Sequence, residues 1–116
     1  MRHRRGNKKL GLPTDQRIAV LRGIVRGLFL NGKVEVTVTR AKEARKIAEQ
    51  LISISKKNDL HARRKVESFM GERQIVSKIF KTFPERFEGR VGGFTRIIRT
   101  GFRRGDASPM AVLELL

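Results

Sequence analysis

Positive charge is spread along the whole length of this chain, and that distribution limits what it can become more than any other feature. Lysine and arginine number 27 against 11 aspartate and glutamate in 116 residues, a formal net charge of +16. The basic residues do not form one detachable tail, so any core has to be assembled from apolar positions that fall between cations. A chain of this kind repels itself until something neutralises it, and phosphate backbones do so while releasing their condensed counterions. The composition therefore points to nucleic acid as the partner.

At this length one domain is expected, able to bury about two-thirds of its unfolded surface without metals or crosslinks. Cysteine is absent, which excludes disulfides and thiolate metal sites and fits a reducing compartment. The most apolar stretch, Ile18 to Leu30, is interrupted by Arg22 and Arg26, the wrong pattern for a membrane span or a signal-peptide core. The expectation is a cytoplasmic, unprocessed protein with no membrane partner.

Organisation follows from punctuation and periodicity. Arg2, His3, Arg4, Arg5, Lys8 and Lys9 all precede the first acid, Asp15. Residues 1–13 should form a basic N-terminal arm that orders only against polyanion, and residues 14–116 a single α/β domain. Pro13 and Thr14 mark a helix start, with Thr14 as its cap and Ile18, Leu21, Ile24, Val25, Leu28 and Phe29 on one face. Arg22 and Arg26 lie toward the opposite side. Val34, Val36 and Val38 alternate with polar residues as a half-buried strand does. Thr39 is then expected to cap a second helix reaching about Lys57, with Ala44, Ile47, Ala48, Leu51, Ile52 and Ser55 facing inward.

Arg40, Lys42, Arg45 and Lys46 load the first turns of that helix with positive charge, where the dipole favours acids. A docked phosphate would account for the placement. Asn58-Asp59 should cap a short helix from Leu60 to Met70 bearing Arg63 and Arg64, closed by Gly71. A fourth helix, Glu72 to Lys81, should be broken by Pro84. Gly89, Gly92 and Gly93 introduce a last third of different character. It consists of a strand from Phe94 to Thr100 carrying Arg96 and Arg99, a basic loop from Gly101 to Pro109, and a strand from Met110 to Leu115. The fold class is thus α/β of the α+β type, two layers in the order α-β-α-α-α-β-β, with a small mixed sheet covered by helices.

Catalytic readings fail. His3 and His61 are the only histidines and have no acidic or sulfur partners at ligand spacing, so neither a metal nor any other cofactor is expected. No Gly-rich loop ends in Lys-Ser or Lys-Thr, and the acids form no general acid/base pair, which argues against an enzyme with a small-molecule substrate. Arg104-Gly105-Asp106 matches a cell-adhesion tripeptide, but a tight loop near phosphate is the better account. Phe29, Phe69, Phe80 and Phe87 read as core. Phe102, between Gly101 and Arg103-Arg104, is placed where it could stack on an unpaired base.

Several stretches carry a resemblance. Met1-Arg-His-Arg-Arg with Lys9-Leu10, Val38-Thr39-Arg40-Ala41-Lys42-Glu43-Ala44-Arg45 and Asp59-Leu60-His61-Ala62-Arg63-Arg64 resemble segments of the bacterial large-subunit ribosomal protein L-seventeen family. Arg90-Val91-Gly92-Gly93-Phe94-Thr95-Arg96-Ile97, followed by Arg104-Gly105-Asp106-Ala107-Ser108-Pro109-Met110-Ala111, is the most specific match. Many members have Ser-Ser-His-Arg where this chain has Thr14-Asp15-Gln16-Arg17, and Arg17 still matches. The resemblance implies a structural component of the large subunit, without catalysis, that binds 23S rRNA near the outer opening of the polypeptide exit tunnel beside neighbouring ribosomal proteins. Arg2, His3, Arg4, Arg5, Lys8, Lys9, Arg17, Arg22, Arg26, Lys42, Arg45, Arg63, Arg64, Arg96, Arg99, Phe102, Arg103 and Arg104 are the expected rRNA contacts. Most would position phosphates and sugars and not read bases. A DNA-architectural basic protein, which also needs high charge and no active site, is the alternative.

Overall fold

The computed structural model describes residues 14–116. The expectations placed on the basic segment before Thr14 lie outside the described residues. Four helices and three strands follow in the order expected: α1 (Thr14–Asn31), β1 (Lys33–Thr37), α2 (Val38–Ser55), α3 (Leu60–Met70), α4 (Arg73–Arg86), β2 (Thr95–Phe102) and β3 (Pro109–Leu115).

The sheet is antiparallel throughout, in the order β1-β3-β2, and not mixed. The last strand to be made is its centre: Val34 faces Leu113 and Val36 faces Ala111 on one side, and Ile97 faces Leu113 on the other. Alternation along β3 buries Ala111, Leu113 and Leu115 under the helices and leaves Val112 and Glu114 half-exposed on the outer face. Helix α2 lies on the inner face and touches every other element; α1 also meets β1 and β3, whereas α3 and α4 reach the sheet through α2. Its stripe of Ala41, Ala44, Ala48, Leu51, Ile52 and Ser55 is fully or nearly fully buried; the small alanines allow close approach, and Ser55 satisfies its hydroxyl on the Ile52 carbonyl at 2.7 Å.

Local chemistry explains α3 closely. Asp59 accepts a hydrogen bond from the Ala62 N–H at 2.7 Å, an N-cap that removes one orphan donor, and Gly71 adopts φ 75° to end the helix. Elsewhere packing overrides local signals. Helix α2 starts at Val38 and not after Thr39, because Val38 is buried and belongs to the helix; Thr37 is the flanking residue and its side chain makes no cap bond. Helix α4 runs through Pro84 to Arg86 instead of breaking there. What holds it is an aromatic spine of edge-to-face contacts: Phe29 to Phe83 at 5.0 Å, Phe83 to Phe87 at 5.5 Å and Phe87 to Phe94 at 5.1 Å. Buried aromatics of this kind contribute about 1.5–3 kcal/mol each through burial alone, enough to offset a lost helical hydrogen bond. The spine joins α1 and α4 to the entry of β2, and it buries Phe94 ahead of the strand instead of placing it within one.

Candidate nucleic-acid interface

Arginine and lysine side chains fall into two groups. Three on α1 and α3 are held within the protein. Arg22 donates from Nε to the Phe69 carbonyl at 2.6 Å, with its guanidinium 5.3 Å from the Phe69 ring centre. Arg26, one turn on, pairs with Glu72 at 2.7 Å, and hydrogen bonding to that carboxylate raises the guanidinium pKa. Arg63 lies 5.5 Å from the Phe80 ring centre and reaches the Ser77 hydroxyl at 3.5 Å. These three were expected to extend an RNA surface; here they tie helices together, although their exposed edges can still meet phosphate.

Other cations stand without such partners. Among the described residues, Arg17, Lys42, Arg64, Arg99 and Arg104 make no side-chain hydrogen bond or ion pair. Lys33, Arg40, Lys57, Lys65 and Lys81 belong with them, a group that the motif-based selection of sites missed. Lys42 on α2 and Arg99 on β2 line a common cleft of about 660 Å³, floored by Val38 and Ile97 and bounded by Arg45, Lys46 and Glu49. Arg17 borders a second, smaller depression beside Ile18, Leu21 and Gln50.

Glu49, also unforeseen, builds the first cleft. Its carboxylate accepts from the Thr95 N–H at 3.0 Å, the Thr95 hydroxyl at 2.7 Å and the Phe94 N–H at 3.4 Å, fastening the start of β2 to the middle of α2. The same carboxylate lies 3.7 Å from Arg45, whose Nη2 reaches the Thr95 carbonyl at 3.5 Å. Arg45 is thus a wall of the cleft as well as a potential phosphate contact. Only the spacing from Arg45 to Glu49, one helical turn, was available in the sequence as a signal.

The β2–β3 hairpin carries the remaining candidates. Arg96 pairs across the strands with Glu114. Phe102 belongs to β2 and not to the loop, is 75% exposed and faces Pro109; the connecting loop shortens to residues 103–108. Arg103 grips Asp106 through two bonds of 2.6 and 3.2 Å, and Asp106 also accepts from the Ser108 N–H at 3.1 Å. The Arg103 guanidinium, followed by Ser108, holds the Asp106 carboxyl well below the usual carboxylate range. With both oxygens engaged, the Asp106 carboxylate is tied to its own loop; Arg104 remains exposed at the tip. Among the described residues no group of His, Asp and Glu is arranged to hold a metal ion, and no helix is long and apolar enough to cross a membrane.

Comparison with known proteins places this surface in context. The family model of ribosomal protein L17 matches residues 20–116. The chain belongs to the ribosomal protein L17 family. Large ribosomal subunit protein bL17 of Clostridium beijerinckii is 50% identical over 111 residues, covering 96% of this chain and 98% of that protein. The bL17 proteins of Clostridium acetobutylicum, 50% identical over 96% of this chain and 97% of theirs, and of Clostridium novyi, 48% identical over 94% and 96%, are similar along the same span. The L17 family is structural and non-enzymatic.

Proposed function

We propose that the protein is a structural constituent of the large ribosomal subunit in the cytoplasm that binds 23S rRNA through phosphate and shape contacts, near the opening of the polypeptide exit tunnel and beside neighbouring ribosomal proteins. Family membership supports the ribosomal role, and the resemblance of the Arg90 to Ala111 motifs supports the location. The observation that carries RNA binding is the free cations: Lys42, Arg64, Arg99 and Arg104 are exposed and find no acid within the described protein. A protein gains nothing for its own fold by leaving such charges unpaired, whereas a folded polyanion neutralises them all. The basic segment of residues 1–13 acts as an arm in this scheme, adding Arg2, His3, Arg4, Arg5, Lys8 and Lys9 to a contact surface on the 14–116 domain. No cofactor or small-molecule substrate takes part.

Equilibrium binding of the purified protein to large-subunit rRNA tests this. With about six to ten phosphate contacts, affinity should fall by roughly 10³–10⁵ between 50 and 200 mM salt. Duplex DNA should compete poorly, since it lacks the 2′-hydroxyls and curved shape of folded RNA. Salt-insensitive binding, or equal preference for duplex DNA, would overturn the proposal.

A further inference from the structure

The β2–β3 ladder contains one irregularity, and it sits at the cleft. Arg99 faces Ala111 and Gly101 faces Met110, so Thr100 is an extra residue in β2, a bulge, and Gly101 supplies the φ of +128° that follows it. Residues directly opposite one another in an antiparallel pair share a face, and faces alternate along each strand. Ala111 is fully buried on the helix-covered face, and Pro109, two residues away, is on that same face. Phe102 faces Pro109. Arg99 and Phe102 therefore point to the same side of the sheet, although three residues apart in sequence. Without the bulge Phe102 would project from the opposite, outer face.

That shared side is where α2 begins. Strand β1 ends at Thr37, opposite Met110, and the chain passes directly into Val38 and the first turn of α2. Val38 and Ile97 make the apolar floor of the cleft, with Lys42 and Arg99 on its two walls. At about 3.3 Å per residue, Phe102 stands roughly 10 Å further along β2 than Arg99, past the rim. A phosphate held between Lys42 and Arg99 and a base laid on the Phe102 ring can belong to one short stretch of RNA. The base must be unpaired, since duplex bases have no free face to offer.

The geometry points to a binding site for an unpaired or bulged-out nucleotide of RNA, its phosphate between Lys42 and Arg99 and its base, or that of its neighbour, stacked on Phe102. The site rests on the rRNA-binding role proposed above and specifies which part of the RNA this end of the protein takes. The bulge at Thr100 is the positioning device: it spends one ladder hydrogen bond to bring an aromatic ring onto the cationic side of the sheet. Phe102 has no role in the core, at 75% exposure, and removing it should not disturb folding.

A photo-crosslinking phenylalanine analogue at position 102, in full-length protein bound to purified large-subunit rRNA, tests the site directly. The expected product is a crosslink to a nucleotide outside any helix. F102A should weaken binding by about tenfold and restore the chemical reactivity of that nucleotide, while leaving the thermal melt of the protein and the salt slope unchanged. K42A/R99A should reduce the logarithmic salt slope by about 0.7, one phosphate's worth for a single strand. A crosslink to a base-paired nucleotide, a crosslink to another protein in intact particles, or unchanged reactivity in F102A would overturn the site and leave the rRNA-binding role standing. Failure of the wild-type protein to bind rRNA in a salt-dependent manner would instead overturn that role, and the site with it.

Discussion

Arg22 and Arg26 on α1 and Lys42 and Arg99 across the α2–β2 cleft are all long, exposed or half-exposed cations, yet they are held in opposite ways. The first pair reaches across to the α3–α4 junction, where the Phe69 carbonyl and Glu72 receive it. The second pair faces a cleft whose nearest acid, Glu49, is occupied by the backbone of Phe94 and Thr95. In a protein with so large an excess of cations, acids are the scarce resource, and where they are placed decides which arginines become structural. The acids at Glu72 and Glu49 anchor elements; the cations left over are the ones proposed for RNA.

The contrast predicts that substitutions on the two sides will separate stability from affinity. The largest effect on stability should come from Glu49→Ala, which leaves the Thr95 and Phe94 donors without their acceptor and frees the start of β2. A loss of about 3 kcal/mol is expected, seen as a fall in melting temperature of about 12–24 °C, together with a deformed cleft. Arg22→Ala should cost about 2 kcal/mol by removing both the bond to the Phe69 carbonyl and the stacking on its ring. If it instead left the melt untouched and weakened RNA binding as K42A/R99A does, the distinction between the two sides would collapse. Arg26→Ala, an exposed pair, should barely move the melt.

Smaller effects sharpen the picture. Gly23→Ala, on α1 with nothing near an added Cβ, should stabilise by about 0.5–1 kcal/mol, whereas Gly27→Ala should gain less, because its Cβ would meet Val34 Cγ1 at 3.0 Å. At the hairpin tip, Asp106 has its pKa lowered in the folded state. Its contribution is therefore fully present above the ordinary carboxylate range and fades only as pH falls through the lowered value. The Ser108 amide resonance should stay constant from pH 7 to about pH 4, whereas ordinary exposed carboxylates approach half-protonation near the lower limit. A midpoint near pH 4 for Asp106 would show that the Arg103 grip is not maintained in solution.

Much of this fold was legible in local chemistry. The apolar periodicity of α1 and α2, the Asp59 cap and the Gly71 stop each act within a turn or two of chain, and each appears where the sequence implied. Ile18 is the exception on α1, 38% exposed near the helix start. Long-range packing decided the rest. Pro84 was expected to break a helix because its local cost is visible, whereas the contact of Phe83 with Phe29 is not. Arg22 and Lys42 could not be told apart in the sequence either, since the carbonyl that holds Arg22 lies 47 residues away. The bulge at Thr100 was equally hidden: it is a relation between two strands, not a property of one.

The central position of β3 has a consequence for how the protein is made. Both β1 and β2 are edge strands whose ladder partners all lie in Pro109–Leu115, so neither can pair until that segment has been synthesised. The helices can collapse early around α2, but Arg99 and Phe102 acquire fixed directions only when β3 docks. Non-local closure of this kind is slow relative to helix formation. A nascent chain should therefore present its cations to RNA first as a loose polyelectrolyte, and gain selectivity for nucleotide geometry in the final step of its folding.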